Sequence, residues 1–460
     1  MKKVSYLLIL SLILILTGCS KAATAPAPDH SASDSSDGSS SGSDMENTAA
    51  DQGLRLIHAM NINYGAPSSS GFYHTLVNLN GEEGQHQYDN ILYIDYETKQ
   101  EIYLCNKPEC SHDNESCTSY LEATMPGSFQ LICQEPYLYL IYAQPDSFAE
   151  TPQAPAVYRM NLDGSEKRKI VELNSSMFLT GSYALGNGLL YAAAVTTEVQ
   201  ENEADGFSVT ADVKQELVEL DLTQGTWRTL CSLENTTLEG VYEDKLIFTR
   251  MVYPKDPNSF VDNDAGYFDN LKNSTMEILT FSPGTAKEKV HKSFQYAEVE
   301  NYAVDGSCVY YSGLTDTEIN CLDLSSGTVK TCVKKLPKGS HTFSHITDGK
   351  LLINYYTGKN ETYQSAGTYL ADLSSGKSKP FTLLIGQYDT PAPVLGSYND
   401  SYFIISDFIE KEEFIAWANV TQSSLTGYEY SLISKEDYFS SKANYTPLIT
   451  LYPDGGEHGK

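Results

Sequence analysis

Short runs of apolar and aromatic residues, each bounded by polar turn-forming residues, recur along most of the chain. Four clear runs span Ile91–Ile94, Tyr137–Tyr142, Cys308–Tyr311 and Tyr402–Ile405. They are rich in Tyr, Ile, Val and Leu, and clusters of Gly, Asp, Asn and Ser flank them, which is the pattern of strands separated by turns. No segment keeps the hydrophobic period of a helix over about 15 residues. The chain is therefore predicted to be all-β.

One unit of this pattern occurs seven times. In each copy an apolar strand is followed by a short turn, often containing Gly, and then by a second strand; the clearest pair is Cys321–Gly327 and Leu370–Gly376. The copies are 42 to 66 residues apart, and four strands need about 40–50 residues, so the longer steps leave room for loops. The equivalent positions are Asp95, Asn161, Asp221, Phe281, Asp323, Asp372 and Ile433.

The repeated unit resembles the outer hairpin of β-propeller blades, in which the turn leaves the third strand and enters the fourth. Seven copies predict a β-propeller of seven blades, with six or eight also open. The competing interpretation is a pair of β-sandwiches without rotational repeat. The predicted propeller domain spans 54–460, and residues 54–80 are expected either to begin the first blade or to complete the last one and close the ring.

The first 18 residues have the features of a signal peptide. Lys2 and Lys3 precede the apolar run Leu7–Leu16, which is shorter than the roughly 20 residues needed to span a bilayer. Leu16–Cys19 resembles the lipobox of bacterial lipoproteins, which implies cleavage before Cys19 and a diacylglycerol thioether, with palmitate-type chains, on its sulfur. The alternative is an ordinary secretory signal with an incidental cysteine.

A polar segment, 19–53, separates the lipidated Cys19 from the predicted domain. It is rich in Ser, Asp, Ala and Pro, and Met45 is its only large apolar residue before the domain. Such a composition cannot bury enough apolar surface to offset the entropy of ordering, so we expect a disordered tether. Two acyl chains hold a protein firmly on a membrane. The expected location is the extracellular face of the cell membrane.

The net charge of the chain disfavours some classes of binding partner. The formal net charge is −29, and only five arginines occur. This acidity argues against binding nucleic acid or anionic lipid through a basic face, and the scarcity of arginine limits bidentate recognition of phosphate. The predicted partners are therefore the membrane, through the lipid, and a glycan or protein ligand on one propeller face. The protein is expected to be monomeric.

The densest group of soft metal ligands lies directly after the first repeat, at Cys105, Cys110, His112 and Cys117. Three thiolates and one imidazole suit tetrahedral zinc, although the spacing is not that of a common zinc ribbon. Because the chain is predicted to be exported, disulfide bonds within this loop, Cys105–Cys110 or Cys110–Cys117, are the favoured interpretation. Zinc is the second interpretation, and free thiols are a third. A structural zinc is the only cofactor considered.

Two weaker candidates for cation binding also occur. His341 and His345 share one face of a helix or strand but have no evident acidic partner. The segment Asp262–Gly266 begins like a calcium loop, but its twelfth position is Asn273 instead of the Glu that an EF-hand needs. Metal binding is not the expected role of the two histidines, and the second segment is expected to be a solvated acidic loop.

Two segments resemble those of uncharacterised β-propeller lipoproteins of Gram-positive anaerobic bacteria. They are Cys105–Cys117, which follows a blade hairpin, and Ile433–Phe439 near the end of the chain. The resemblance implies a propeller fold and a lipid anchor. It implies no activity.

Motifs that would indicate an enzyme are scarce. There is no H-E-x-x-H metal motif, and no catalytic or cofactor-binding residue is predicted. The favoured function is a non-catalytic binding module for a glycan, peptide or protein. The alternative is a glycan-active hydrolase or lyase that uses carboxylates in the central channel, which requires two acidic groups about 5–10 Å apart.

Overall fold

The computed structural model of the chain describes residues 53–59, 64–79, 86–122, 129–144, 154–201, 209–260, 264–357, 364–386, 389–415 and 420–451. These residues form seven antiparallel sheets that follow one another along the chain, together with one two-stranded sheet. The fold is a seven-bladed β-propeller, which confirms the predicted class and blade number. Among the described residues, no helix is both long enough and apolar enough to cross a membrane.

Strands β2 to β18 form the first four blades of the ring. Blade 1 is formed by β2 (Ala66–Pro67), β3 (Gly71–Leu79), β4 (His86–Asp95) and β5 (Gln100–Tyr103), and β6 (Tyr120–Leu121) also pairs with β4; blade 2 by β7 (Phe129–Gln134), β8 (Tyr137–Tyr142), β9 (Ala156–Asn161) and β10 (Arg168–Glu172); blade 3 by β11 (Met177–Gly186), β12 (Leu189–Glu201), β13 (Val209–Asp221) and β14 (Thr226–Ser232); blade 4 by β15 (Thr236–Tyr242), β16 (Lys245–Val252), β17 (Thr275–Ser282) and β18 (Lys287–Gln295).

Blades 5 to 7 complete the ring, and two short helices lie in connections between strands. Blade 5 is formed by β19 (Asn301–Asp305), β20 (Cys308–Ser312), β21 (Ile319–Asp323) and β22 (Val329–Val333); blade 6 by β23 (Ser340–Thr347), β24 (Lys350–Thr357), β25 (Gln364–Asp372) and β26 (Lys377–Phe381); the two-stranded sheet by β27 (Leu384–Ile385) and β28 (Thr390–Pro391); blade 7 by β29 (Val394–Tyr398), β30 (Ser401–Ile415), β31 (Val420–Ser434) and β32 (Thr446–Pro447); the helices are α1 (Asp264–Lys272) and α2 (Lys435–Phe439), with 3₁₀ turns at Pro257–Phe260 and Tyr296–Glu298.

The hydrophobic core lies between the blades, because each sheet is buried on both faces. In β8, Leu138 and Leu140 pack toward blade 1, whereas Tyr139 and Ile141 pack toward blade 3. Successive side chains of a strand point to opposite faces. A strand with two buried faces therefore needs a continuous apolar run, which is why these strands read as unbroken hydrophobic segments in the sequence.

The repeated sequence unit is the turn between the third and fourth strands of a blade. In blade 6 the Asp372 carboxylate accepts hydrogen bonds from the backbone N–H groups of Ser374 and Ser375, at 3.0 and 2.9 Å; these bonds lower the pKa of Asp372 to about 2. Gly376 follows with φ +70°, and a Cβ there would lie 2.6 Å from the Cys332 carbonyl oxygen of blade 5. The Asp and the Gly are thus fixed by turn geometry and blade packing.

The two faces of the ring differ. We call the face with the turns between first and second strands and between third and fourth strands the turn face, and the opposite one the loop face. Turns between first and second strands are as short as the two residues 187–188 or 306–307. On the loop face, connections reach 253–274 in blade 4 and 104–119 after blade 1. The elaborated loops therefore lie on one side.

The first described strand of the chain belongs to blade 3 and not to blade 1. β1 (Arg55–Ile57) pairs with the first strand of blade 3, with Arg55 opposite Leu185 and Ile57 opposite Tyr183. First strands surround the central channel of a propeller, so β1 lies in the channel. The expectation for residues 54–80 is confirmed only for 66–79, which begin blade 1.

The ring closes through packing and a C-terminal clasp. One core cluster joins blades 6, 7 and 1, with Phe72 and Tyr96 of blade 1 packing on Phe403 of blade 7. The clasp is the segment 449–451, which runs beside β5: Ile449 exchanges backbone hydrogen bonds with Lys99 and Glu101 at 2.8 and 2.9 Å. The Leu451 N–H donates to the Glu101 carboxylate at 2.7 Å. β32 completes blade 7, so the N-terminal residues are not used for that purpose.

A truncation tests the clasp. Ending the chain after Leu448 removes three hydrogen bonds to blade 1, each contributing about 0.5–1.5 kcal/mol. We expect the free energy of unfolding in urea to fall by about 2–4 kcal/mol. Ending the chain after Leu451 is the matched control, since it leaves the clasp intact, and should change stability little. Equal losses for the two truncations would contradict the role of 449–451.

Candidate metal centre

The four predicted metal ligands lie in the loop between blades 1 and 2, on the loop face. The chain leaves β5 at Tyr103, reverses, and returns to pair β6 with the start of β4. Glu109 and His112 adopt positive φ values of 56° and 57°, the left-handed conformation that lets a chain reverse tightly. The short loop can therefore fold back on itself.

The loop brings all four ligands together. The sulfur atoms of Cys105, Cys110 and Cys117 and a ring nitrogen of His112 all lie within 4.8 Å of one another. Zinc–sulfur bonds of about 2.3 Å in a tetrahedron place sulfur atoms about 3.8 Å apart. Small side-chain rotations would suffice for coordination. Among the described residues this is the only such group of three or more His, Cys, Asp and Glu.

The imidazole has a defined orientation. His112 Nδ1 lies 3.3 Å from Cys117 Sγ, so Nδ1 is the nitrogen that faces the sulfurs. Its ring stacks on the Tyr103 ring, with centroids 4.0 Å apart and planes 8° apart. The His112 carbonyl accepts a hydrogen bond from the Asn90 side chain at 2.9 Å. Such contacts fix the ligand and its ring orientation before a metal binds.

The three cysteines are free thiols in this structure. Burial opposes ionisation of Cys105, but hydrogen bonds from the Lys107 backbone and from the Cys117 and Cys110 thiols outweigh it, so the pKa of Cys105 is lowered. Burial raises the pKa of Cys117 to about 12. Thiolates are the form that binds a metal, and Cys105 is the sulfur most ready to supply one.

Two lysines contact this loop. The Lys107 ammonium donates to the Ser116 carbonyl, and Lys167 of blade 2 donates to the Tyr120 carbonyl at 2.6 Å. Burial lowers the pKa of Lys167, and the nearby Cys117 thiolate opposes that shift. Three thiolates and a divalent ion would carry one net negative charge, which the Lys167 ammonium would partly offset.

The arrangement could hold a structural metal. A disulfide would join two of the three sulfurs and leave the third thiol and the imidazole within 4.8 Å of the bond. Tetrahedral zinc uses all four groups and closes the site to further ligands. Bound there, zinc would cross-link the loop without supplying reactive chemistry.

The other residues considered as sites lie elsewhere in the chain, and some of them lie outside the described residues. Cys19 and residues 262–263 lie outside the described residues. His341 and His345 both lie on β23: His341 is fully buried and its Nε2 is 2.9 Å from Ser312 Oγ, whereas burial, followed by the nearby charge of His58, lowers the pKa of His345 to about 4.

The channel contains contacts that no sequence pattern predicted. Arg55 donates from Nη2 to the Cys133 carbonyl of blade 2 at 2.6 Å, and the Ala59 N–H donates to Ser182 Oγ of blade 3 at 3.2 Å. Leu54 approaches Gly186 so closely that a Cβ on that glycine would lie 2.7 Å from the Leu54 Cα. The only feature of the sequence that could have indicated this strand is the largely apolar run Leu54–Ile57.

Comparison with known proteins identifies no family for this chain. No protein-family model and no curated protein sequence matches the chain. Among solved structures it resembles the β-propeller domain of the Trilobed protease from Pyrococcus furiosus (11% identity, TM-score 0.41, 86% of this chain and 98% of that one). An oligogalacturonate lyase in complex with manganese (12%, 0.41, 84% and 92%) and an acylaminoacyl peptidase from Pyrococcus horikoshii (10%, 0.46, 84% and 52%) are also similar. The chain spans about half the length of that peptidase.

Metal analysis tests the centre. We expect one zinc per chain in protein purified without chelator, and loss of that zinc in His112→Ala and Cys105→Ser. A site saturated about 1,000-fold above its Kd contributes about 4 kcal/mol to the free energy of unfolding, so chelation should lower the urea midpoint. Cys231→Ser is the matched control, because Cys231 is also partly buried but lies in blade 3, away from the loop. Metal-free protein with a disulfide in this loop would contradict the assignment.

Proposed function

We propose that this protein is a lipid-anchored extracellular binding module. The lipid on Cys19 holds it on the outer face of the cell membrane, and its loop face binds a glycan, peptide or protein partner without catalysis. A structural zinc in the loop between blades 1 and 2 stiffens that face. Lipidation and location rest on the sequence of residues 1–53, and the orientation rests on the channel strand.

The observation that carries this proposal is the direction of β1. It is antiparallel to β11, and β11 ends at Gly186 on the turn face. The chain therefore enters the described structure at Gly53 on the turn face and runs through the channel toward the loop face. A tether that precedes Gly53 leaves on the turn face. The loop face, with its long connections and the cysteine-rich loop, then lies on the side of the domain opposite the point where the tether leaves.

The alternative of a carboxylate enzyme in the channel has little support. The first strands of the seven blades contain two acidic residues, Glu239 and Asp305. The Glu239 carboxylate accepts hydrogen bonds from Tyr302 and Thr249 at 2.9 and 3.1 Å, and burial raises its pKa. Asp305 lies at the turn end of β19, and β1 occupies part of the channel. Glycoside cleavage needs two acids at one cavity.

Energy transfer to the membrane tests anchoring and orientation together. A donor dye is placed at Ser259 on the loop face or at Thr285 on the turn face of the same blade, in lipidated protein on vesicles that contain acceptor lipid. The strands between them have 8 residues, so the two dyes are separated by about 26 Å. We expect stronger transfer from Thr285, because the turn face lies nearer the bilayer.

The control is Cys19→Ser, which should abolish transfer from both positions. Equal transfer from the two dyes, or stronger transfer from Ser259, would contradict the orientation. Transfer that persists in Cys19→Ser would place the anchor elsewhere in the chain.

A further inference from the structure

The perimeter of blades 5 and 6 carries a local positive charge that the net charge of the chain conceals. Residues 324–347 and 373–388 contain six lysines and no Asp or Glu, in a chain with 60 acidic residues. The two segments include the fourth strands of both blades, β22 and β26, and the connection after β22. Fourth strands form the perimeter of a propeller. We call these lysines the basic wall: Lys330, Lys334, Lys335, Lys338, Lys377 and Lys379.

The ammonium groups of the basic wall are not used within the protein. All six lysines are exposed, and none of them forms an ion pair with another described residue. The ion pairs nearby belong to other lysines, since Lys350 lies 4.0 Å from Asp372 and Lys435 lies 2.9 Å from Asp348. The six charges are therefore available to an anionic partner.

A contact between the two blades joins the two parts of the basic wall. The Ser378 hydroxyl donates to the Lys335 carbonyl at 3.4 Å. Ser378 lies between Lys377 and Lys379 on β26, and these two lysines are about 7 Å apart along the strand. The charged residues of blade 6 thus lie directly beside the connection that leaves blade 5, and the wall is one continuous surface.

Protection of strand edges explains only part of the basic wall. Edge strands often carry lysine, which prevents them from pairing with another chain, and Lys330, Lys377 and Lys379 lie on edge strands. The other three lysines lie in the connection 334–339, where no strand edge needs protection. Their presence next to β26 indicates a surface that is selected for its charge.

We propose that the basic wall binds a linear anionic polysaccharide, through ion pairs between its lysines and the carboxylate or phosphodiester groups of the polymer. Such binding needs unpaired cations at intervals along a surface, and it needs neither a stacking ring nor an enclosed pocket. A lysine acts as a point charge and accepts either kind of anion. The inference goes beyond the proposed function, because it depends neither on lipidation nor on the orientation of the domain.

The surroundings of the basic wall favour a narrow polymer over a membrane surface. Carboxylates border the wall on both sides: Asp323 and Asp372 lie in turns on the turn face, and Asp316 and Glu318 lie in a connection on the loop face. A flat anionic bilayer that met the lysines would also meet these carboxylates and be repelled by them. A single polymer chain can follow the lysines alone.

The composition of the wall disfavours a protein or nucleic-acid partner. Val329 is the only exposed large hydrophobic residue in the described parts of the two segments, whereas protein interfaces have an apolar core. Proteins that bind single-stranded nucleic acid stack the bases on aromatic side chains. The two phenylalanines here, Phe343 and Phe381, are not exposed. An anionic polysaccharide requires neither feature.

Titration with defined polymers tests the basic wall. The chain from residue 19 to residue 460, with Cys19→Ser, is titrated with polygalacturonic acid, a phosphomannan and neutral dextran. We expect at least one of the two anionic polymers to bind and dextran to fail, and the comparison identifies the anion. Each neutralised charge contributes about −0.7 to the slope of log K against log salt for a single-stranded polyanion. With three or more lysines engaged, the Kd should rise at least about twentyfold between 50 and 200 mM salt.

Two double variants locate the binding surface. Lys334→Gln with Lys335→Gln, and Lys377→Gln with Lys379→Gln, each remove two charges. Each pair should raise the Kd about tenfold or more and reduce the salt slope by about 1.4. Lys255→Gln with Lys272→Gln is the matched control, because it removes two exposed charges from the blade 4 insertion instead. The control should leave both quantities almost unchanged, and circular dichroism checks that every variant is folded.

Several results would overturn the proposal. They are failure of both anionic polymers to bind, equal binding of dextran, and a Kd that responds no more to the wall variants than to the control. Tighter binding to oligothymidylate, oligoglutamate or phosphatidylglycerol vesicles than to either polysaccharide would also contradict it, because the wall would then serve a different class of partner.

Discussion

The two-sided burial of every blade is the constraint on which the rest of the structure depends. A sheet such as blade 2 buries Leu138 and Ile141 on opposite faces, so neither face can be left open to water at an acceptable free energy. Each blade therefore needs two neighbours, and the ring must close. The aromatic cluster around Phe403 and the clasp at Ile449 close the ring, because both join blade 7 to blade 1.

Much of this architecture was predictable because it is local or periodic. The seven positions that mark the repeat, five of them polar, end or nearly end third strands. At Asp221 and Asp372 the carboxylate accepts turn hydrogen bonds that need this residue at this place. The cysteine-rich loop was predictable as a ligand group because its members are close in sequence. Its state was not, because pairing depends on three-dimensional convergence.

The features that escaped sequence reasoning are long-range contacts without a side-chain signature. β1 has only three residues, and its place beside β11 is set by backbone pairing and by the absence of a side chain at Gly186. The clasp is also a backbone contact: Ile449 is 67% exposed, so its side chain gave no sign of an attachment. The first contact sets the face on which the chain enters the channel, and the second joins blade 7 to blade 1.

The central claim is that the N-terminal strand lies in the channel beside β11, with its start on the turn face. Hydrogen exchange of the mature protein, read by mass spectrometry over residues 54–59, tests it most directly. The backbone amides of β1 should be protected to an extent comparable with those of β11, because they share a strand pairing. Exchange of residues 54–59 at the rate of an unstructured peptide, with β11 still protected, would contradict the claim.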